Sequence, residues 1–315
     1  MKLLRVIFMA VIVVVLTVVA GKYILLDYYP SVDNSFSYPI QDIRRLASAD
    51  EVLPDSVGYL VVAGAYYPAR GLVAGMKIDD PMVSFVAYQV GYGDEIPPVV
   101  IDGAIDKSIY EADIREKVFF DAENYSVLEN AFSRAGKILV THTHYDHIGG
   151  IANASNFDAI RHKIHLTGEQ AASPLLEIVG MELDGDIRII DDFARIEIPS
   201  YGIVEYALVA PGIVMIKTPG HTPCHASFFI ALSDGSEVII SGDVAFNRKG
   251  ITHQRQKPLL TSYMLGEDRG RVGKDLYWLN QLNRTEGVRI MVSHDLATHT
   301  RLEAVGIIRE GFPVQ

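Results

Sequence analysis

Between Lys137 and His147 the chain reads Lys-Ile-Leu-Val-Thr-His-Thr-His-Tyr-Asp-His. A short apolar run thus passes directly into three imidazoles and a carboxylate, and no other stretch limits the fold so tightly. Lys137–Val140, set off by Gly136, predicts a buried strand. His142 and His144 are two residues apart, so on extended backbone they project to one side. Asp146 and His147 are adjacent and diverge, which suits a second ligand direction. Imidazole nitrogen and carboxylate oxygen are what borderline cations accept when thiolate is absent. The lone cysteine, Cys224, excludes both a Cys-rich site and an intrachain disulfide.

Three more predicted strands end on a possible ligand. Ile213–Lys217 leads to Thr218-Pro219-Gly220-His221, Glu237–Ser241 to Gly242-Asp243, and Val288–Val292 to Ser293-His294-Asp295. Ala226–Leu232 pairs with the second of these through Ser233-Asp234-Gly235-Ser236, a hairpin signal. Strand ends are rigid platforms whose loops reach a common site, the usual placement of chemistry in α/β enzymes. Tyr59–Ala65, Met82–Val90 and Val99–Ile101 read as further strands. Ser126-Val127-Leu128-Glu129 reads as a capping box opening a helix that buries Val127, Leu128, Ala131, Phe132 and Ala135 and stops at Gly136. Asp275–Asn283 reads as a second helix marked by Leu276, Leu279 and Leu282. The Gly- and aromatic-rich segment 66–98 is placed to wall a pocket.

The N-terminus carries Lys2 and Arg5 before an apolar run from Val6 to Gly21, continued past Lys22 by Tyr23-Ile24-Leu25-Leu26. A spanning helix needs about 20 apolar residues, which Leu3–Leu26 supplies if Arg5 and Lys22 snorkel. Val18-Val19-Ala20 also fits a small-residue cleavage site, so a removed signal peptide is the competing reading. Basic residues before the span put the N-terminus inside and the remainder outside. Residues 1–27 are therefore expected to be a membrane anchor or signal, 28–56 a linker with a short polar helix near Ile40–Ala49, and 57–315 the folded domain that carries the ligand cluster. Localisation follows: membrane-anchored with an extracytoplasmic domain, or secreted or periplasmic after cleavage. A net charge of −11 argues against a nucleic-acid partner, because phosphate neutralisation needs clustered Lys and Arg. Neither metal identity nor oligomeric state follows from these residues, since His and Asp sites accept zinc, iron, manganese or cobalt.

The pattern His-x-His-x-Asp-His, then a His, an Asp and a final His, resembles the metallo-β-lactamase superfamily over about residues 57–295. The resemblance implies an α/β fold, an αββα sandwich of two sheets with helices outside. It implies a first metal on His142, His144 and His221, a second on Asp146, His147 and His294, and Asp243 bridging them. Two divalent ions, zinc foremost, are the implied cofactors. Iron–oxygen relatives that reduce dioxygen usually carry Glu where His144 stands, which disfavours that chemistry. The implied activity is hydrolysis by a metal-bridging hydroxide, with Asp146 orienting the nucleophile and passing its proton to the leaving group. Asp102, in Ile101-Asp102-Gly103-Ala104, and Asp295 are candidates to fix imidazole tautomers. His225 reads as packing or support. His162, His165, His253 and His299 have no matching positions, and Cys224 reads as a small buried residue.

Thr218–Phe229 is similar to N-acyl homoserine lactonases, many of which carry Tyr three residues after the bridging Asp. Here that position is Phe246; Tyr145 or Tyr263 are candidate substitutes for the missing donor. A small-molecule lactone or carboxylic ester is the leading substrate class. A thioesterase resembling glyoxalase II, a β-lactamase or phosphodiesterase, and a non-catalytic metal-stabilised binding protein at the membrane are the alternatives.

Overall fold

The computed structural model describes residues 2–31, 36, 38–94, 96–183 and 185–312. Its strands, in chain order, are β1 (Ser56–Tyr66), β2 (Met82–Gly91), β3 (Val99–Ile101), β4 (Lys117–Phe120), β5 (Lys137–Leu139), β6 (His165–Thr167), β7 (Arg188–Ile190), β8 (Ala194–Ile198), β9 (Gly202–Ala210), β10 (Ile213–Lys217), β11 (Ala226–Ala231), β12 (Glu237–Ile240), β13 (Arg289–Met291) and β14 (Arg309–Glu310). One 6-stranded sheet runs β14-β1-β2-β3-β5 with β4 beside β1, and a second runs β13-β12-β11-β10-β9-β8. The β1–β2 and β9–β12 pairs are antiparallel, whereas β3–β5 and β12–β13 are parallel.

Side-chain alternation on single strands explains the layering. Tyr59 and Val61 of β1 face Met215 and Phe228 across the space between the sheets. Leu60 and Val62, one residue out of phase, join Leu128 and Phe132 of the helix Ala122–Arg134 on the outer side. On the second sheet Val214 and Ile216 turn outward to Leu276 and Leu279 of the helix Arg269–Gln281. Each central strand is buried on both faces, so it reads as a nearly continuous apolar run. The resulting order is helices, sheet, sheet, helices, an α/β arrangement.

Several element boundaries differ from the sequence reading. The helix over 122–134 starts a turn before the Ser126–Glu129 box, because Asp121 accepts from the backbone N–H groups of Glu123 and Asn124. With those free donors satisfied, Ser126 lies inside the helix. The helix containing Leu276 begins at Arg269 under an Asp268 cap. The expected linker 28–56 is largely part of the domain: Phe36, Tyr38, Ile43 and Ala47 are buried in the outer core of the second sheet. Arg44 ties the helix Ile40–Ala47 to Glu237 at 2.6 Å. Asp33-Asn34-Ser35 lies outside the described residues.

Residues Lys2–Lys22 form a helix, followed by a π turn at Tyr23–Asp27. An 18-residue window within Arg5–Asp27 reaches a mean hydropathy of 2.5 with none of it buried, so by length and composition the stretch meets the requirements of a membrane span. Its foot rests on the domain. Gly75 N donates to Leu26 O at 3.0 Å, Arg70 lies 3.5 Å from Asp27, and the turn packs on the helix Leu259–Leu265.

Candidate metal centre

The ends of β5, β10, β12 and β13 converge. β5 delivers Thr141 and His142, and the chain then enters the helix Tyr145–Ala152 with Asp146 and His147 in its first turn. β10 leads to His221, β12 to Asp243 and β13 to His294. Donor atoms of His142, His144, His221 and Asp243 all lie within 4.8 Å of one another, as do those of Asp146, His147 and His294. Asp243 stands between the groups. Its Oδ2 is 3.3 Å from His221 Nε2, and its Oδ1 is 3.4 Å from His147 Nε2 and 3.1 Å from His294 Nε2. His144 Nδ1 is 2.9 Å from His142 Nε2 and 3.0 Å from His221 Nε2, and Asp146 Oδ2 is 3.5 Å from His294 Nε2.

These separations suit cations. Zinc–nitrogen bonds of about 2.0–2.1 Å in tetrahedral geometry place ligand atoms about 3.3 Å apart. His147 Nε2 and Asp243 Oδ1 are buried without a hydrogen-bond partner among the described residues, an arrangement that costs stability unless something else binds them.

The far nitrogens of the imidazoles set their tautomers. His147 Nδ1 donates to Asp102 Oδ2 at 2.9 Å, His221 Nδ1 to Glu267 Oε1 at 2.7 Å, and His294 Nδ1 to the Ser84 carbonyl at 2.8 Å. With the proton on Nδ1, each Nε2 presents a lone pair to the centre. His144 is turned the other way and offers Nδ1. His225 is excluded from ligation by the same reasoning: its Nε2 accepts from Asp243 N at 2.9 Å, and its Nδ1 meets Thr218 Oγ1 at 2.9 Å. It braces the Asp243 backbone instead.

Asp102 is buried and holds φ at 62°, in the left-handed region that side chains rarely adopt. Its carboxylate also accepts from Thr141 N at 2.7 Å, so the strained turn joins the end of β3 to the end of β5 beside His147.

Charge follows the geometry. Burial lowers the His142 pKa well below the imidazole norm, with the neighbouring His147 and His144 adding to it. Burial likewise takes His144 down to about 4. For His147, burial opposes the charged form, but Asp243 and Asp102 outweigh it and the pKa rises.

Over the centre lies a cavity of about 390 Å³ with His144, Asp146, Asp243 and His294 at its base. Its walls include Tyr66, Tyr67, Pro68, Val83 and Phe85 from the segment 66–98, together with Tyr145 and Phe246. The Phe246 ring sits 4.9 Å from that of His294, centroid to centroid.

Two candidate residues fall elsewhere. Tyr263 is 82% exposed on the helix Leu259–Leu265 and does not line the cavity, because the inward residue of that helix is Leu265. Among the described residues the Asp295 carboxylate accepts from Arg248 N at 2.8 Å rather than from an imidazole of the centre; adjacency to His294 turns it to the opposite side of the chain. Of the remaining histidines, His299 is buried against Tyr88 Oη at 2.9 Å, and His162 and His253 are exposed. Sequence reasoning missed Glu267 and Lys257, which sit 2.6 Å apart behind His221. Neither lies at a strand end nor in any recognisable spacing.

Residues 136–283 match the family model of the metallo-beta-lactamase superfamily. A curated relative, the hydroxyacylglutathione hydrolase of Albidiferax ferrireducens, is 34% identical over 110 residues, which is 35% of this chain and 34% of the relative. The match thus spans about a third of that relative's length. Among solved structures, an N-acyl homoserine lactone hydrolase with N-hexanoyl-L-homoserine bound at its catalytic metal center aligns at TM-score 0.59 and 16% identity, covering 79% of this chain and 96% of its own. A quorum-quenching N-acyl homoserine lactone lactonase aligns at TM-score 0.60 and 15% identity, covering 80% and 97%. At such identities the likeness is one of fold.

Proposed function

We propose that this chain, which carries a metallo-β-lactamase domain, is a metal-dependent hydrolase that opens a lactone or cleaves a carboxylic ester at a two-metal centre. The observation that carries this reading is the position of Asp243 between the two donor sets at the base of the cavity, with Oδ2 3.3 Å from His221 Nε2, Oδ1 3.4 Å from His147 Nε2, and both oxygens within 3.2 Å of His294 Nε2. His142, His144 and His221 would hold one cation, Asp146, His147 and His294 the other, and Asp243 both. Bound there, divalent cations supply Lewis acidity: they lower the pKa of water towards neutrality and polarise a carbonyl oxygen.

The chain's own residues do the rest. Asp146, at the cavity base with its side chain 16% exposed, is placed to take a proton from attacking water and return it to the leaving oxygen. Tyr145 lines the same cavity. Burial and the adjacent Asp146 raise its phenol pKa, so the hydroxyl stays protonated and can donate to a substrate oxygen. It thereby takes over the role that Phe246 cannot fill. Asp102 and Glu267 hold His147 and His221 in the tautomers that ligation requires. Val83, Phe85 and Phe246 supply an apolar wall beside the centre, which strengthens nearby polar interactions, while Asp113, Arg115 and Glu116 make another part of the lining charged.

A thioester is the second substrate class, favoured by the 34% identity to a hydroxyacylglutathione hydrolase. The helix Arg5–Asp27 is read as an uncleaved anchor, with the domain from residue 57 onward, joined by the packed segment before it, on the extracytoplasmic side. The test is a panel of lactone, ester, thioester, β-lactam and phosphodiester presented to the full chain in detergent, with chelation and zinc add-back. Lactone or ester turnover abolished by chelation and restored by zinc supports the proposal. Turnover indifferent to chelation, or none on any substrate, overturns it. Asp243→Ala should lose much of the bound metal; two ions retained at wild-type affinity would count against Asp243 as the bridge.

A further inference from the structure

The foot of the N-terminal helix, an exposed apolar face and one wall of the cavity are built from the same short segments. The helix Leu259–Leu265 packs on the Tyr23–Asp27 turn. It exposes Leu260 (42%), Tyr263 (82%) and Met264 (72%), and its last residue, Leu265, lines the cavity. Thr261 Oγ1 donates to Gly71 O at 2.9 Å, which fastens this helix to the loop carrying the cavity residues Tyr67 and Pro68. Arg70 of that loop pairs with Asp27 at 3.5 Å, and Arg255 stacks its guanidinium 4.5 Å over the Tyr29 ring.

We propose that the Leu260–Tyr263–Met264 face lies in the lipid–water interface beside the anchor, and that the cavity draws substrates bearing an acyl chain from that layer. This rests on the hydrolase and anchor readings above. Single exposed apolar residues are ordinary on soluble proteins. Three on one seven-residue helix, against the end of a membrane-length span, are a different matter. Tyr23, Tyr28 and Tyr29 at that end are 56%, 46% and 38% exposed, and with Tyr263 they make the aromatic belt typical of the headgroup level. Lys22, Arg70 and Arg255 at the same level suit lipid phosphates. The occupant that matches this chemistry is a bilayer surface, since the span already fixes the face within reach of one. The cavity residues Tyr67, Pro68 and Leu265 belong to the segments that meet the anchor, so this wall is the route by which an amphiphile's chain would enter from lipid while its ester or lactone reaches the base.

The full chain is reconstituted in phosphatidylcholine vesicles, with Tyr263→Trp as reporter and the natural Trp278, only 3% exposed, as internal reference. Brominated phosphatidylcholine should quench the added emission about twofold or more while sparing Trp278. In parallel, Leu260→Ser/Tyr263→Ser/Met264→Ser is assayed on two esters with one head group, a short soluble acyl chain and a long one presented in vesicles. For the long chain kcat/KM should fall about fivefold or more, with the short chain unchanged. Vesicle-bound Tyr263→Trp chain whose reporter is untouched by the brominated lipid overturns the proposal alone. A reporter shielded from both lipid and aqueous quenchers also overturns it, in favour of a second copy or another protein on this face. Equal loss on both esters, or loss on neither, overturns the entry route. Wild-type chain that leaves the vesicles overturns the anchor reading and this proposal together, whereas wild-type chain inactive on both esters overturns the ester-hydrolase reading and the entry route, while the quenching result still judges whether the face lies in lipid.

Discussion

Glu267 Oε1 lies 2.7 Å from His221 Nδ1 and 2.6 Å from Lys257 Nζ, so one buried carboxylate serves an imidazole and an ammonium at once. Burial alone would raise its pKa, but Lys257 and the hydrogen bond from His221 outweigh burial and hold it at about 2. Lys257 Nζ also donates to the Asp243 carbonyl at 2.8 Å, which links the supports of His221 and Asp243. Glu267→Gln keeps the shape and removes the charge. Metal affinity at the His221 side should fall about 10–100-fold, the usual effect of losing such a partner. Competition against a fluorescent zinc chelator measures this without reference to turnover. Unchanged affinity would show that Glu267 serves packing alone.

Phe246 closes the cavity between the rings of Tyr67, His221 and His294, at centroid distances of 6.0, 5.8 and 4.9 Å. Phe246→Tyr adds a hydroxyl to a ring that lies beside these imidazoles and 4.2 Å beneath Lys257 Nζ. If a donor there stabilises the developing negative charge, lactone turnover should rise about tenfold, within the range of one hydrogen bond to a charged oxygen. Steady-state kcat on a homoserine lactone checks it. No gain would leave Tyr145 as the sufficient donor.

The convergence on Asp243 was legible because ligating residue types sit at the ends of short apolar strands, where side-chain direction follows from period-2 geometry. Contacts made by residues off those strands were not. Glu267 follows Gly266, which holds φ at 70° at the end of a seven-residue helix, and no periodic pattern announces where that turn aims a carboxylate. Asp295 and Tyr263 failed for the converse reason. Proximity in sequence or a suitable side chain says nothing about facing, and both point away from the imidazoles. Ser126-x-x-Glu129 has the spelling of a cap, yet Asp121 satisfies the helix start first. The outer core around Phe36 and Tyr38 was hidden because their partners, such as Tyr201 and Trp278, lie far away in the chain.

Gly150 is the point where the ligand-bearing helix Tyr145–Ala152 meets the Asp102 turn. A Cβ there would stand 1.9 Å from Gly103 O, a backbone atom that cannot rotate away. Gly150→Ala should therefore destabilise the fold by about 3 kcal/mol or more, the upper end of overpacking costs. It should also loosen Asp146 and His147, which share the helix, and so lower metal content. Thermal unfolding with metal analysis tests both. A variant with wild-type Tm and full metal would mean that the two backbones separate at little cost.

Asp275 is fully buried, accepts from Tyr38 Oη at 2.8 Å and Tyr201 Oη at 2.7 Å through Oδ1, and leaves Oδ2 without a hydrogen-bond partner among the described residues. Burial raises its pKa to about 7, against the lowering effect of the Tyr201 and Tyr38 hydrogen bonds. An unfolded aspartate titrates near about 3.9. The folded chain therefore holds this proton more tightly, and protonation favours folding. The stabilisation is fully present below about pH 4 and is lost as pH rises through 7. Asp275→Asn removes the titration while keeping an oxygen for the two tyrosines. The urea midpoint should then change less between pH 5 and pH 8 than in the wild-type chain, most of the difference appearing at the alkaline end. A variant that kept the full wild-type drop across that interval would show that Asp275 does not titrate between pH 5 and pH 8, and would overturn the assignment of that drop to it.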